Sequence, residues 1–178
     1  MIEAIANQTA YIYSPPAVLP SALLIQEALK NTVADGILGG PPLIADLANN
    51  LEILESISGK VRGVAYGGGD IAQHFGDVVS SKTILYTIIG STETGPYPLI
   101  RHKALWEAED WKYFQVHPTA GLEFRHINDN LYEIYVVRNK KEEDEQPVFK
   151  LFPQLTEYST KELCSQHPRK PNLWKYEG

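Results

Sequence analysis

The chain has 178 residues, of which 43% are hydrophobic and 21% are charged, a composition typical of a folded globular domain. Its 16 lysines and arginines against 22 aspartates and glutamates give a net charge of −6, which argues against a nucleic-acid partner because such proteins carry a basic face. The single cysteine, Cys164, excludes an internal disulfide, and neither a leader nor a membrane-length apolar run is visible, so we expect a cytoplasmic protein with no membrane contact.

The first half of the chain alternates short apolar strands with helical patterns, which is typical of βαβ units around a parallel sheet. Leucines and isoleucines recur at helical spacing after Pro41 and Pro42, and Gly59 is expected to end that helix. Strands are predicted at residues 10–13, 61–65 and 83–89, a short strand and turn at 35–40, and helices at 20–29, 41–58 and 71–79.

The second half changes to shorter elements with β-type alternation. Residues 121–126 and 131–137 are predicted to pair as a hairpin around the turn at 128–130, whose residue types tolerate positive φ. The charged run at 140–145 is typical of a solvated loop. The predicted fold is therefore α/β. A parallel lobe at residues 1–100 passes into an antiparallel β region at 101–178, without an obvious linker.

The histidines and aromatic residues of this chain are interpreted as structural. Cys164 and His167 could ligate a metal, but zinc needs three or four ligands. Aromatic residues near the middle of the chain are expected to form the core of the β region; they are Trp106, Trp111, Tyr113 and Phe114. The remaining histidines are spread between a predicted helix and the β region, at His74, His102, His117 and His126.

A polar turn follows the apolar run at residues 83–89, and residues 90–95 read GSTETG. Open α/β sheets place their ligands at the carboxyl ends of parallel strands. Hydroxyl groups there can donate to phosphate oxygens, and a carboxylate can hold magnesium. From these residues alone, an ordinary polar turn remains an equal alternative.

A second glycine-rich turn, residues 67–69, follows the strand predicted at 61–65. On spacing alone, a tight structural turn is the favoured interpretation. A Walker-type phosphate loop is excluded, since no Gly-Lys-Ser/Thr follows either glycine cluster.

Three segments in this order resemble the adenylate-forming superfamily, which includes acyl-CoA synthetases and peptide-synthetase adenylation domains. Residues 64–71 (VAYGGGDI) are similar to its Gly-Gly-x-Pro-Leu turn, and residues 88–95 (IIGSTETG) to its Tyr-Gly-Ser/Pro-Thr-Glu motif. Residues 158–163 (YSTKEL) are similar to its Tyr-x-Thr-Gly-Asp-Leu motif. The tail at 167–178 resembles fungal peptide-synthetase-like reductases, in which a hinge follows at once.

The resemblance implies roles for particular residues. Thr92 would donate to the α-phosphate of ATP, and Glu93 would bind Mg²⁺; both are the implied catalytic residues. Glu162 stands where the family has an aspartate that accepts from the ribose hydroxyls, and Lys161 replaces the usual glycine. Ile89 replaces an aromatic residue that lies near the adenine. The implied nucleotide-binding set is Gly68, Gly69, Asp70, Thr87, Ile88, Ile89, Gly90, Ser91, Thr92 and Glu162.

The residues that the resemblance places in the acyl-substrate pocket are small or apolar, which suggests an aromatic or aliphatic acid. They are Ala65, Gly67, Ile88 and Pro96. For Glu162, a place on the surface of a short helix is the alternative to the ribose role.

By resemblance, the parent enzyme would use ATP to activate a carboxylic acid and pass the acyl group to a carrier-protein phosphopantetheine or to CoA. No segment matches the family's phosphate loop ending in Pro-Lys or the domain that carries its catalytic lysine, so we expect a central fragment with little adenylation activity of its own. One alternative is a truncated, non-catalytic module that binds nucleotide, acyl ligand or a partner. Another is an unrelated α/β protein with coincidental turns. A fragment is also expected to self-associate through apolar faces that the rest of the domain would cover.

Overall fold

A computed structural model describes residues 10–101 and 107–178. Three short parallel strands form the first sheet in the order β1–β2–β3, in register from Gly36 opposite Gly63 to Tyr66 opposite Thr87. Four helices belong to the same part of the chain. The strands are β1 (Gly36–Gly39), β2 (Gly63–Tyr66) and β3 (Leu85–Thr87), and the helices are α1 (Ala22–Asn31), α2 (Pro41–Asn49), α3 (Leu51–Ser58) and α4 (Gln73–Ser80).

The second sheet is antiparallel, with five strands in the order β6–β10–β9–β8–β7. The predicted hairpin is confirmed as β7 and β8, and Asp129 in its turn has a φ of 41°. A small hairpin, β4 with β5, connects the two sheets. The bounds are β4 (Gly90–Ser91), β5 (Gly95–Pro96), β6 (Tyr113–Phe114), β7 (Leu122–Asn128), β8 (Leu131–Val137), β9 (Glu157–Gln166) and β10 (Trp174–Tyr176), with helix α5 (Val148–Leu151) before β9.

The predicted fold class, a parallel α/β part that passes into an antiparallel β region, is confirmed. One buried cluster fills the space between the first sheet and its helices, and includes Leu47, Leu54 and Val64. A second cluster lies against the five-stranded sheet and includes Phe149 and Cys164. Short 3₁₀ helices span Ala108–Lys112, Pro118–Ala120 and Glu143–Glu145. No helix in the described ranges is long and apolar enough to cross a membrane.

Two predicted elements are wrong in the first half. Residues 10–13 form no strand, and their side chains are largely exposed, with Tyr13 at 75%. The single helix predicted at 41–58 is two helices, because Asn50 has non-helical φ and ψ of −121° and 68°. The Asn50 amide donates to the Asp46 carbonyl and carboxylate at 2.8 and 3.0 Å. Such local side-chain bonds compete with a continuous helix.

Two further expectations need correction. The strand predicted at 83–89 is limited to Leu85–Thr87. The Ile88 amide still donates to the Tyr66 carbonyl, but the Ile89 carbonyl accepts from the Tyr97 amide of the connecting hairpin. Trp111 belongs to the first core rather than to that of the β region. Phe114 does lie in the β-region core, whereas Trp106 and His102 fall outside the described residues.

Candidate functional site

A cleft of about 180 Å³ lies where the carboxyl ends of β2 and β3 face β9 and β10. It brings together segments that are about 100 residues apart in sequence. Every residue of the implied nucleotide-binding set lines it except Ser91 and Thr92. The lining residues are Tyr66, Gly68, Gly69, Asp70, Thr87, Ile88, Ile89, Gly90, Lys112, Glu162, Lys175 and Tyr176.

The glycine-rich turn after β2 forms one wall of the cleft. The turn at residues 67–69 is held close to the neighbouring strands, since the Gly67 amide donates to the Gly39 carbonyl at 3.3 Å. The amide of Ile88 likewise donates to the Tyr66 carbonyl at 2.6 Å. The ends of β2 and β3 therefore lie side by side, as expected for a ligand site at the carboxyl edge of a parallel sheet.

The hairpin of β4 and β5 forms the adjacent wall. Gly90 has a φ of 150°, and a Cβ atom at this position would overlap the Gly95 carbonyl oxygen. The Ser91 amide donates to Thr94 Oγ1 at 3.0 Å, and the Thr94 amide donates back to Ser91 Oγ at 3.3 Å. Ser91 and Thr94 thus tie the base of the turn together. The exposed Thr92 lies at its tip.

Glu162 enters the cleft through an irregularity in β9. Its neighbour Lys161 has a φ of 65°, in the left-handed region that glycine tolerates best. Pairing with β8 shifts here between Glu133 and Tyr135. Thr160 Oγ1 donates to the Ile134 carbonyl at 2.9 Å and accepts from the Glu162 amide at 3.1 Å. Because Glu162 is a half-buried strand residue, its alternative place on the surface of a short helix is wrong.

The carboxylate of Glu162 has an atom with unused hydrogen-bonding capacity. Its Oε2 is buried and has no hydrogen-bond partner among the described residues. Burial, and secondly the nearby negative charge of Glu93, raise the pKa of Glu162 above its usual range. Buried acceptors are normally satisfied. A hydroxyl donor that reached this oxygen would satisfy it.

Glu93 is the residue implied for magnesium. Within the described ranges, no three histidine, cysteine, aspartate or glutamate side chains group as a metal site. Magnesium, however, commonly takes one or two protein carboxylates and completes its octahedron with waters and substrate phosphates. A single half-buried carboxylate on the hairpin, close enough to affect the pKa of Glu162, fits that kind of site.

The four residues implied for the acyl pocket do not all meet in this cleft. Ile88 lines it, and a Cβ at Gly67 would lie 3.0 Å from the Ile88 carbonyl oxygen. Ala65 is buried within β2, with an exposed fraction of 3%. Pro96 lies opposite Gly90 across the hairpin and is exposed. Their role in binding an acyl group stays a prediction.

Sequence reasoning missed four lining residues. Tyr66 directly precedes the glycine turn, so its position at the end of β2 could have indicated it. Burial raises the pKa of its phenol, which also hydrogen-bonds Thr87. Lys112, Lys175 and Tyr176 belong to the second half of the chain. Lys175 and Tyr176 fall within the tail at 167–178 that carries part of the resemblance, although it gave neither a role, and Lys112 falls in none of the quoted segments.

Replacing Glu162 by glutamine is expected to stabilise the protein at neutral pH while weakening nucleotide binding. When folding raises the pKa of a carboxyl group, the free energy of unfolding falls as the pH rises from the unfolded-state pKa to the folded-state pKa. As the pH rises above the unfolded-state pKa, Glu162 therefore increasingly destabilises the folded protein. We expect a gain in Tm of about 2 to 4 °C, from about 1 kcal/mol in a chain of this size.

Scanning calorimetry of wild type and Glu162→Gln between pH 4 and pH 8 measures this effect. The gain should disappear toward acidic pH, where both side chains are neutral. Glu52→Gln, at an exposed site on α3, is the matched control. A variant that is less stable than wild type at pH 7 would contradict the burial argument.

Comparison with known proteins gave sequence relatives in three fungi, whereas no protein-family model matches the chain. The chain is 29% identical over 163 residues to a carboxylic acid reductase of Neurospora crassa, covering 89% of this chain and 15% of that protein. It is 28% identical over 167 residues to the isocyanide synthase–NRPS hybrid crmA of Aspergillus fumigatus, covering 94% and 10%. It is 28% identical over 150 residues to the adenylate-forming reductase Nps10 of Heterobasidion annosum, covering 82% and 13%.

Solved structures share the fold at lower identity. The amide bond synthetase McbA of Marinactinospora thermotolerans superposes with a TM-score of 0.65 at 14% identity, over 88% of this chain and 34% of that one. A benzoate CoA ligase from Burkholderia xenovorans gives 0.62 at 16% identity, over 89% and 34%. The chain thus spans 10–15% of the length of its curated relatives and about a third of these two structures. The resemblance predicted from the three motifs is confirmed in sequence and in fold.

Proposed function

Because the chain is similar to adenylate-forming enzymes in sequence and in fold, we propose that it is part of an adenylate-forming domain whose cleft binds the adenosine portion of ATP in a larger acid-activating enzyme. The parent would convert a carboxylic acid to an acyl-adenylate and pass the acyl group to the thiol of a carrier-protein phosphopantetheine or of CoA. The chain spans only a small part of its relatives, so these further steps depend on segments outside it.

One observation carries this proposal. The buried Oε2 of Glu162 has no hydrogen-bond partner among the described residues. It belongs to a cleft whose other walls are the glycine turn after β2 and the hairpin after β3. A lone buried acceptor beside two walls of closely approaching backbone suits a flat heterocycle joined to a polyhydroxylated sugar.

The chemistry of adenylation sets what the hairpin must supply. A carboxylate oxygen attacks the α-phosphorus of ATP, a new C(O)–O–P linkage forms, and the bond to the pyrophosphate leaving group breaks. Negative charge grows on the phosphoryl oxygens, so preorganised donors lower the barrier. In this proposal the Thr92 hydroxyl donates to the α-phosphate, and the Glu93 carboxylate holds Mg²⁺. The ion would supply additional charge stabilisation when bound.

The test is calorimetric titration of the chain with ATP–Mg²⁺ and with a non-hydrolysable acyl-adenylate analogue. Glu93→Ala is expected to weaken binding of ATP–Mg²⁺ about tenfold, the effect of losing about 1.4 kcal/mol. Binding of ATP in the presence of EDTA should change less than twofold, because Glu93 acts through the ion.

The control for this titration is Glu52→Ala, which removes an exposed carboxylate on α3. It should bind as wild type does in both conditions. If Glu93→Ala binds ATP–Mg²⁺ as tightly as wild type does, the magnesium role alone is rejected. No saturable binding at millimolar ATP–Mg²⁺ would reject the nucleotide proposal for this chain.

A non-catalytic interaction module is the second candidate, because exposed apolar side chains are concentrated near the start of the described chain. Their exposed fractions are large for aliphatic and aromatic groups, and such patches commonly mark contact surfaces. They include Tyr13 at 75%, Leu19 at 86%, Leu23 at 68%, Val33 at 95% and Leu38 at 57%. The same titration separates the two candidates, since the interaction module requires no saturable nucleotide binding.

A further inference from the structure

The cleft contains charges of both signs, which the motifs alone did not indicate. Asp70 and Glu162 line it, and Glu93 lies close enough to influence Glu162. Carboxylates in this arrangement repel a polyanion such as ATP. Two lysines, Lys112 and Lys175, line the same cleft. Their positive charges oppose that repulsion.

Contacts with helix α4 fix the position of Lys112. The residue before it, Trp111, is buried at 2% exposure, and its indole nitrogen donates to Asp77 Oδ1 at 2.9 Å. The Gln73 amide donates to the same Asp77 oxygen at 2.7 Å. Lys112 Nζ in turn donates to Gln73 Oε1. The ammonium group is therefore held by a continuous chain of hydrogen bonds on α4.

The two lysines differ in what they contact. Lys175 Nζ lies 2.5 Å from Glu177 Oε1, so a carboxylate compensates its charge directly. The hydrogen bond of Lys112 is to a neutral amide. An amide orients an ammonium group without cancelling its charge. The charge of Lys112 also acts on Glu177, but less strongly than that of Lys175. Of the two cations, Lys112 thus offers more of its charge to an anionic ligand.

We propose that Lys112 is a specificity residue which makes the cleft prefer a phosphorylated adenine nucleotide over the uncharged nucleoside. The inference rests on the proposed function, because it presupposes that adenosine occupies the cleft. It adds a source of charge from the second half of the chain that none of the three motifs includes. Its role is electrostatic, so it requires no contact between Lys112 and a particular phosphate oxygen.

The test is titration of the chain with ATP, AMP and adenosine, using Lys112→Gln, which retains a polar side chain but removes the charge. We expect Lys112→Gln to weaken ATP and AMP binding about fivefold, as for one partly screened charge pair. Adenosine binding should change less than twofold. Lys112→Arg should restore ATP affinity to within about twofold of wild type, since the charge returns.

Lys150→Gln is the matched control, because it removes an exposed lysine paired with Asp144. Raising the salt concentration should reduce the difference between wild type and Lys112→Gln, because salt screens exposed charges. An equal loss for ATP and adenosine would overturn the inference in favour of a structural role for Lys112, and unchanged ATP affinity would overturn it directly. In both cases wild-type ATP binding leaves the proposed function standing. No nucleotide binding by wild type would overturn both.

Discussion

Replacing Asp110 by alanine is expected to lower the free energy of unfolding by about 3 to 5 kcal/mol, as for other buried ion pairs that lose one partner. Asp110 is 1% exposed, and its Oδ2 accepts from Lys170 Nζ at 2.5 Å and from the Glu107 amide at 2.9 Å. Its Oδ1 lies 3.3 Å from His167 Nε2. The substitution removes the buried carboxylate beside His167, leaves Lys170 with only the exposed Glu107 as its partner, and releases the segment that precedes β10.

Thermal unfolding measures this loss, and at about 2 to 4 °C per kcal/mol the Tm should fall by about 10 °C. Glu107→Ala is the matched control. This variant removes the second carboxylate that pairs with Lys170, and the Glu107 side chain is 55% exposed. Exposed pairs contribute less than about 1 kcal/mol. Comparable losses in the two variants would contradict the assignment of the stability to the buried carboxylate.

The stability that Asp110 contributes depends on pH, and the direction of its pKa shift gives the sign. Burial raises the pKa of Asp110, but hydrogen bonds from Lys170 and the Glu107 amide outweigh it and hold the pKa below its usual range. A lowered carboxyl pKa gives stability above the unfolded-state pKa, and this stability is lost as the pH falls through the folded-state value. Wild type should therefore lose its advantage over Asp110→Ala below the ordinary aspartate pKa, about 3.9.

Replacing Gly90 by alanine is expected to reduce ATP affinity more than tenfold, which corresponds to more than about 1.4 kcal/mol. The Cβ would overlap backbone atoms of Gly95 and Pro96, and the φ of 150° strains any L-residue there. The atoms that the Cβ would overlap belong to the backbone rather than to a flexible side chain, so they cannot move aside independently. The hairpin must open, and the wall that carries Ile89, Thr92 and Glu93 shifts with it.

Titration with ATP–Mg²⁺ and thermal unfolding together check this prediction. Gly59→Ala is the control, since a Cβ there meets nothing within 4 Å and the residue has φ of −81°. It should retain wild-type affinity and Tm. If Gly90→Ala binds ATP as tightly as wild type, the hairpin does not form part of the nucleotide site.

Local sequence patterns predicted much of the fold because their physical cause is local. The alternation at 121–126 and 131–137 and the turn residues between them were enough for the β7–β8 hairpin. The helix pattern after Pro41 was correct in its apolar face but not in its continuity. Asn50 interrupts the helix through side-chain hydrogen bonds to Asp46. The spacing of apolar residues carries no information about such bonds.

By itself, the sequence determined the α/β class, the turns after β2 and β3, and the resemblance to adenylate-forming enzymes. These depend on residue types at short spacing, where steric and hydrogen-bonding preferences act directly. The tertiary structure alone decided that Glu162 is half-buried, with an oxygen that has no partner among the described residues, and that Lys112 and Lys175 line the same cleft. Burial and electrostatic fields are sums over residues distant in sequence, so no short motif can specify them.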